Sequence, residues 1–371
     1  MTFPARLDDL GLPGRRHEDW RWTDLSAIDA ALAARANDSA PDPRRWLIDD
    51  IAGPVLLFVD GRFVADGSDP QGVAVETADA DDPHVLARLT RGAAGATLRL
   101  GADHATTGPI QIVHVATGGA AALRHRFRLA DDAQASVVET YVGAPASWTN
   151  VAVDIDLAPS ARLMRSARRL GEGGVHTETL RAEVGQGASL MATTLLTQAD
   201  SVRIDSHARL HGAGAFASLD GAMLGRGRQV YDVVNRIEHA AEGGSSRQTW
   251  RSVADDHATL SFSGKIEVAR AAQKTDAEQS VKALLLQRTA TANAKPELEI
   301  YADDVKCAHG ATVGELSRDA LFYLASRGVP PVEARAILTE SFLSDALATI
   351  GEDAVREALT ADAIAWLRRT A

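Results

Sequence analysis

The sequence predicts a mainly β fold, a β-helix or β-solenoid with helical regions at both ends, and three observations support this prediction. From about residue 95, short stretches rich in Val, Leu, Thr and Ile alternate with small-residue turns. Ala135, Ala161, Ala188 and Ala215 lie in similar turns and follow one another at near-equal spacings. A period of roughly 20–50 residues without a helical pattern between repeats is typical of stacked β-turn units.

Strand candidates between the turns support this repeat. Residues 151–157, 177–184 and 202–210 are strand-like, and each is followed by one of the small-residue turns. A β-sandwich or barrel is the alternative, because its strands also recur at short intervals. The near-equal spacings favour the solenoid.

One interval is longer than the others. Ala258 lies in a similar turn but is much farther from Ala215 than the other turn alanines are from one another, and residues 231–239 form another strand candidate between them. We expect this interval to hold an insertion or a repeat with degenerate turns. The predicted solenoid core spans residues 91–312.

Residues 1–90 are expected to form an N-terminal region of helices, loops and one β-hairpin. Residues 55–59 are an apolar run, and Asp60-Gly61 behind them is a hairpin turn signal. A short helix is expected in residues 81–91.

Two tryptophans, Trp20 and Trp22, lie in a densely charged stretch over residues 15–23. An exposed tryptophan is unfavourable without a partner surface. We therefore expect this stretch to form a turn that docks its indole rings on the body of the protein.

Residues 313–371 are expected to form a C-terminal helical domain. Ser317 can cap the N-terminus of a helix over residues 318–327. Gly328 fits the position after the end of this helix, where glycine adopts a left-handed conformation.

Two further helices are expected behind the first. Pro330-Pro331 opens the second helix, which Gly351 ends, and a third helix near Thr360 carries Trp366. Because a solenoid exposes its terminal turns, we expect these helices to cap its end.

The composition excludes several classes of function. Lys plus Arg number 39 and Asp plus Glu number 50, so the net charge of −11 argues against a nucleic-acid partner. A single cysteine excludes an internal disulfide framework. The chain also lacks a secretory h-region and an apolar run long enough to span a membrane, so we expect a cytoplasmic protein.

The motif that carries chemistry contains that cysteine, Cys307, and His309. A thiol and an imidazole are soft metal ligands, and on a strand residues i and i+2 point to the same face. Two ligands do not complete a four-coordinate iron or zinc site, so another chain must supply the rest. A buried structural cysteine and a hydrogen-bonding histidine are the plain alternative. Lys306 could favour the thiolate.

The C-terminal part of the sequence resembles the SufB/SufD family of iron–sulfur cluster assembly proteins. Six short stretches in the same order carry this resemblance over about a hundred residues, and no one of them is specific alone. They are residues 262–266, 272–277, 284–286, 296–300, 305–312 and 321–328.

Three features make the chain most like the SufD branch of this family. Residues 18–23 are similar to its N-terminal signature, Gly310 follows His309, and the chain is short with one cysteine. The resemblance implies a right-handed parallel β-helix and a complex with SufB-like and SufC-like subunits.

The resemblance also implies the functional residues. His309 and Cys307 would help to hold a transient iron–sulfur cluster at the SufB interface, and ATP would be hydrolysed by SufC, so that this chain is a non-catalytic scaffold. The chain has no nucleotide motif of its own, and a flavin requirement stays open. The residues expected to contact SufC are Leu321, Phe322, Tyr323, Arg327, Gly328, Arg335 and Phe342.

Two alternatives belong to other classes. A homodimeric scaffold would bring one Cys-x-His pair from each copy and so supply four ligands. A carbohydrate-acting β-helix enzyme would line one face with carboxylates, for which Asp154, Asp156, Glu178 and Glu183 are candidates. No aromatic sugar platform accompanies them, so this second alternative is disfavoured.

Overall fold

Two long sheets run through the computed structural model, which describes residues 3–37, 40–77 and 82–368. The chain is mainly β, and the predicted parallel solenoid is confirmed with about eight turns. In chain order, the strands are β1 Val55–Val59, β2 Arg62–Asp69, β3 Ala74–Thr77, β4 Ala94–Leu100, β5 Ile110–Ala116, β6 Gly119–Leu129, β7 Gln134–Gly143, β8 Ser147–Leu157, β9 Arg162–Gly171, β10 Val175–Val184, β11 Ser189–Leu196, β12 Ser201–Leu210, β13 Phe216–Gly225, β14 Val230–His239, β15 Ser245–Ala254, β16 Thr259–Val268, β17 Asp276–Leu285, β18 Thr291–Ile300 and β19 Lys306–Gly314.

Strands one solenoid turn apart pair in parallel within the same sheet. The ten-stranded sheet has the order β19-β17-β15-β13-β11-β9-β7-β5-β1-β2. The nine-stranded sheet has the order β18-β16-β14-β12-β10-β8-β6-β4-β3. Each sheet therefore ends in one of the last two strands of the chain.

The interior of the solenoid is filled by columns of side chains stacked in register. Ala135 pairs with Leu163, which pairs with Leu190, which pairs with Ala217, and all four side chains are buried in one apolar cluster. Because strand side chains alternate between faces, every second residue joins such a column. Small and branched residues suit these columns because the two sheets face each other closely.

The long interval before Ala258 arises because the turns of Ala215 and Ala258 precede strands of different sheets. Of the two alternatives predicted for this interval, the insertion is wrong, and a repeat with an altered turn is present. Ala215 precedes β13 in the ten-stranded sheet, whereas Ala258 precedes β16 in the nine-stranded sheet. Phe216 pairs with Ser245 on the next strand of its own sheet, 29 residues on against the 27 between Ser189 and Phe216, so the repeat continues there without a long inserted segment. The turn before Ser245 carries glycine instead of alanine, which hid the repeat in the sequence.

The predicted N-terminal hairpin is confirmed. β1 and β2 pair antiparallel around Asp60 and Gly61, whose φ angles of 47° and 76° are the positive values that a tight hairpin turn needs. β1 also pairs in parallel with β5, which joins the hairpin to the solenoid. The predicted short helix lies at Val85–Arg88, whereas residue 81 lies outside the described residues. The domain boundaries after residues 90 and 312 stay predictions.

The helices are concentrated in the C-terminal region. Ser317 caps one helix by accepting the amide of Ala320 at 3.3 Å, and Gly328 follows that helix with a φ of 84°, as predicted. No helix in the described part of the chain is both long and apolar enough to cross a membrane. The helices are α1 Ile28–Ala33, α2 Val85–Arg88, α3 Arg318–Ser326, α4 Pro331–Leu347 and α5 Asp353–Arg368, and 3₁₀ turns cover Leu7–Leu10, Glu18–Trp20 and Pro43–Trp46.

The predicted start of the third helix near Thr360 is wrong. α5 begins at Asp353, and its buried residues Val355, Leu359, Ala363 and Trp366 recur every three or four positions. This spacing keeps all four side chains on one face of a single continuous helix.

The expectation that these helices cap the solenoid end is also wrong, because α4 and α5 cover the outer face of the ten-stranded sheet. Leu343 and Trp366 share one apolar cluster with Leu195 and Val253 of that sheet. The Arg226 guanidinium lies 4.3 Å from the Trp366 ring centroid. The last strand, β19, consequently remains largely exposed.

The charged N-terminal stretch docks on the nine-stranded sheet as expected. Trp20 is buried, with the Arg203 guanidinium 4.6 Å from its ring centroid, whereas Trp22 is half-buried. The Thr23 hydroxyl donates to Asp232 at 2.5 Å, and Arg203 contacts the same carboxylate at 2.7 Å. These buried polar contacts fix the position of the segment.

Asp220 lies buried between the ten-stranded sheet and the end of α4. It accepts hydrogen bonds from the Thr249 amide at 2.7 Å and the Thr349 hydroxyl at 3.3 Å. Burial raises the pKa of Asp220 from 3.8 to about 6, although these hydrogen bonds oppose the shift. The folded chain therefore holds this proton more tightly than the unfolded chain, and the advantage is lost as pH rises through 6.

The Asp220→Asn variant is expected to be more stable than the wild type at pH 8, by about 1–3 kcal/mol, because it removes a buried charge. The difference should shrink towards pH 4, where the wild-type carboxyl is also neutral. Urea unfolding across this pH range measures it, with the exposed Asp131→Asn as control. An equal effect at all pH values would contradict the assignment.

Candidate functional site

The site predicted from the sequence lies on β19, the edge strand of the ten-stranded sheet. β19 pairs with β17, which places Cys307 beside Ala277 and His309 beside Gln279. The alternation of strand side chains puts Cys307 and His309 on one face, as the sequence predicted. Their backbone positions are about 7 Å apart along the strand.

The shared face is the interior face of the solenoid, at its open end. Cys307 packs at the margin of an apolar cluster that contains Ile266, Val268 and Ala277. Cys307 is nevertheless only half-buried, and His309 is exposed, because the solenoid ends at this level. The two ligand groups therefore lie at a mouth that another molecule can reach.

The electrostatic environment keeps Cys307 protonated. Partial burial raises the pKa of its thiol, the nearby Asp276 carboxylate raises it further, and a hydrogen bond from the Ala277 amide opposes them. The expectation that Lys306 favours the thiolate is wrong, because adjacent strand residues point to opposite faces. A bound cation would have to displace the thiol proton.

Cys307 and His309 form an incomplete ligand set. Within residues 3–37, 40–77 and 82–368, no group of three or more His, Cys, Asp and Glu side chains could hold a metal ion. Asp303 and Asp304 lie in an exposed turn before the strand. A four-coordinate site built on the pair needs ligands from elsewhere.

The residues predicted to contact a partner on the C-terminal helices do not form one surface. Phe322 and Tyr323 are 76% and 58% exposed on α3, and the Arg327 guanidinium lies 5.3 Å from the Tyr323 ring centroid. Gly328 is exposed in the turn after α3. Phe342, in contrast, is half-buried on α4 against the ten-stranded sheet.

A groove lies between α3, the first half of α4, the end of α5 and the turn after β17. Its volume is about 910 Å³, and Leu321 and Arg335 line it together with Leu286, Val332 and Leu367. α3 buries none of its own side chains. The helix with the most exposed aromatic rings therefore has no side chain fully enclosed by the rest of the described chain.

Several interior polar residues escaped the sequence reasoning. Arg165 donates to Glu139 at 2.8 and 2.6 Å and lies 2.9 Å from Glu178, with all three side chains buried. Burial alone raises the pKa of Glu178, but Arg165 holds it below its ordinary range. Two interior glutamines, Gln248 and Gln279, are stacked beneath His309. Gln248, Gln279 and His309 follow one another at intervals of 31 and 30 residues, and this near-regular spacing is the signal that could have revealed the column.

The carboxylates proposed for a carbohydrate-acting enzyme do not converge. Glu178 faces the interior and is bound by Arg165, whereas Asp154 is bound by Arg124 at 2.7 Å. Glu183 is the partner of Asp156, but Glu178 lies on the opposite face of the same strand. Asp156 and Glu183 are thus the one neighbouring pair, but they lie exposed on the outer face of the sheet, so the four carboxylates do not form one site.

Comparisons with known proteins agree with the resemblance found in the sequence. Residues 112–342 match a family model described as SUF system FeS cluster assembly, SufBD core domain. The chain is 28% identical to the iron–sulfur cluster assembly protein SufD of Escherichia coli (strain K12), over 95% of this chain and 88% of that protein. It is 27% identical to SufD of Bacillus subtilis (strain 168), over 68% of this chain and 59% of that protein. A SufBD family protein of Synechocystis is 26% identical over 92% of this chain and 84% of its own length.

Alkylation of the folded chain should report the raised pKa of Cys307. Because this is the only cysteine, the iodoacetamide reaction rate follows one thiol. The midpoint of its pH profile is expected at higher pH in the folded chain than in guanidinium, since burial disfavours the thiolate. Asp276→Asn should lower the folded midpoint slightly. A folded midpoint below the unfolded one would contradict this electrostatic description.

Proposed function

This chain belongs to the SufBD core family of the SUF system, and from that membership we propose that it is a scaffold subunit offering Cys307 and His309 to a nascent iron–sulfur cluster. The SufD relatives support a role in iron–sulfur cluster assembly. In this proposal the cluster is the substrate, a SufB-like subunit completes its ligands, and a SufC-like subunit hydrolyses ATP. The acidic composition and lone cysteine support the proposed cytoplasmic location.

The observation that carries the proposal is an incomplete ligand pair on an open strand edge. Cys307 and His309 face the mouth of the solenoid, and the described residues add no third metal ligand to them. An edge strand presents unpaired backbone groups that a strand of another chain can bind. A partner strand that pairs with β19 would also bring the partner's metal ligands to the mouth of the solenoid.

Exposed apolar side chains lie along this edge and support a protein partner there. Ile300 and Tyr301 are 39% and 60% exposed at the corner where β19 begins, and Val313 is 48% exposed towards the other end of that strand. A partner that covers the whole length of the strand would bury all three. The proposed SufB-like subunit would cover them as it completes the site.

The chemistry of the pair suits transient rather than permanent binding. A protonated thiol must lose its proton before it ligates, so metal affinity depends on pH and on the second subunit. Thiolate and imidazole are both good ligands for iron and for iron–sulfur clusters. A cluster shared in this way can leave when the partner withdraws its ligands.

The proposed SufC-like docking surface is on α3. Phe322 and Tyr323 are the most exposed aromatic residues of this helix, and aromatic anchors dominate the binding energy of many interfaces. Arg327 and Gly328 lie at the end of the same helix, and the groove beside it exposes Leu321 and Arg335. Phe342 can contribute only at the margin, because it packs towards the sheet.

The His309→Ala variant is expected to lose cluster formation in the complex with the SufB-like and SufC-like subunits. The loss should be at least about tenfold, since even a change outside the ligand shell costs that much. Iron and sulfide content and visible absorbance of the copurified complex measure it. His257→Ala, which removes an exposed histidine on a distant turn, is the matched control.

Normal cluster content in His309→Ala would remove this residue from the site. The mass of the purified chain, with and without iron and sulfide, tests the homodimer alternative. A dimer that forms only with iron and sulfide would favour two copies sharing one cluster. Cluster formation that requires the SufB-like subunit would favour the heteromeric site.

Docking of the ATPase should depend on α3 and not on the open end. We expect the double variant Phe322→Ala, Tyr323→Ala to bind the SufC-like subunit at least about thirtyfold more weakly, as for aromatic anchors of about 2 kcal/mol or more. Tyr301→Ala should instead weaken binding of the SufB-like subunit. Titration calorimetry with each subunit separates the two effects, and a reversed pattern would overturn the assignment of the surfaces.

A further inference from the structure

Gln279 lies directly beneath His309 inside the solenoid. It is the register partner of His309 on β17, so the two backbones are about 5 Å apart and their side chains share the interior face. The neighbouring interior positions of β17, at Ala277, Val281 and Ala283, are apolar. Gln279 is therefore the polar side chain of this strand that is nearest to His309.

The amide of Gln279 is buried without a hydrogen-bond partner. The side chain is 1% exposed, and no donor or acceptor in the described part of the chain hydrogen-bonds its Nε2 or Oε1. Leaving such groups unpaired is unfavourable, because they lose their hydrogen bonds to water without replacement. An apolar residue of similar length would fill the same space without this cost. Packing alone therefore does not explain why residue 279 is a glutamine.

The opposite sheet leaves room for this amide. A Cβ atom at Gly264 on β16 would overlap Nε2 of Gln279. Gly264 does not have a positive φ, so the backbone conformation does not require glycine there. The missing side chain instead leaves the space that the Gln279 amide occupies.

We propose that Gln279 is a positioning residue for His309, an inference that rests on the proposed function. Its Oε1 accepts the N–H of the imidazole when the ring turns towards the mouth. This bond fixes the tautomer and leaves the other ring nitrogen free to ligate the cluster. Ligating histidines generally donate their second ring nitrogen to a carbonyl or carboxylate in this way.

Gln248 provides a matched comparison within the same column. It is the register partner of Gln279 on β15, it is also 1% exposed, and its amide atoms also lack partners. It lies two strands from His309, at about 10 Å, which is too far for a direct hydrogen bond. A general effect of burying an amide would be the same at both positions, whereas positioning of His309 is specific to Gln279.

The tautomer of His309 in the full chain tests the proposal without any cluster. Nitrogen NMR of the ¹⁵N-histidine-labelled protein resolves the two ring nitrogens, and His309→Ala identifies the signal. We expect one dominant tautomer in the wild type and in Gln248→Met, and a mixture in Gln279→Met, which keeps the side-chain length. Gln279→Glu should restore the single tautomer, because a carboxylate oxygen also accepts the ring N–H.

An unchanged His309 signal in Gln279→Met, or an equal change in Gln248→Met, would overturn the proposal. In the assembled complex, Gln279→Met should reduce cluster content by about tenfold, whereas Gln248→Met should leave it unchanged. If His309→Ala retains its cluster, the proposed function fails, but the NMR result still decides whether Gln279 holds the ring. The two failures are thus distinguishable.

Discussion

Parallel pairing between strands one solenoid turn apart is the constraint on which the rest of this structure depends. It sets the repeat length, because each strand must return in register beside the strand one turn earlier, as Phe216 does beside Ser189 and Lys306 beside Asp276. It stacks interior side chains into columns, so a polar residue in one turn meets the residue one turn away. It also guarantees an unpaired edge, because each sheet must end with a last strand.

The interior columns explain how a chain with few aromatic residues places charge inside its core. Glu139 and Glu178 both bind Arg165, so the central guanidinium neutralises one carboxylate and balances part of the second. Removing one member would leave an uncompensated buried charge, which is more harmful than replacing the whole group with apolar residues. The column of Gln248, Gln279 and His309 is different. Its two amides have no hydrogen-bond partner among the described residues, and the column ends with His309 at the mouth of the solenoid.

Local rules made the most accurate sequence predictions. Strand alternation placed Cys307 and His309 on one face, and the capping preferences of Ser317 and Gly328 located α3. The surface on which the C-terminal helices pack was not predictable. An apolar stripe shows that one face of a helix is buried, but it does not show which part of the protein buries it. The partner of Arg165 could not be found either, since it depends on the length of the preceding turns. The role proposed for Gln279 depends on the strand register, which places this residue beside His309 and could not be read from the sequence alone.

The two terminal strands differ in a way that supports the proposed interface. On β18, Lys295 binds Glu18 at 2.6 Å, and Glu299 binds Lys265 at 2.8 Å, so charges tie this strand to its own chain. β19 carries one charged residue among small side chains, and a Cβ atom at Gly310 or Gly314 would meet no described atom within 4 Å beyond the adjacent residues. Neither glycine has a positive φ, so neither the fold nor the backbone requires it. Glycine in a strand suits the close approach of another backbone, and β19 is where the proposal brings one.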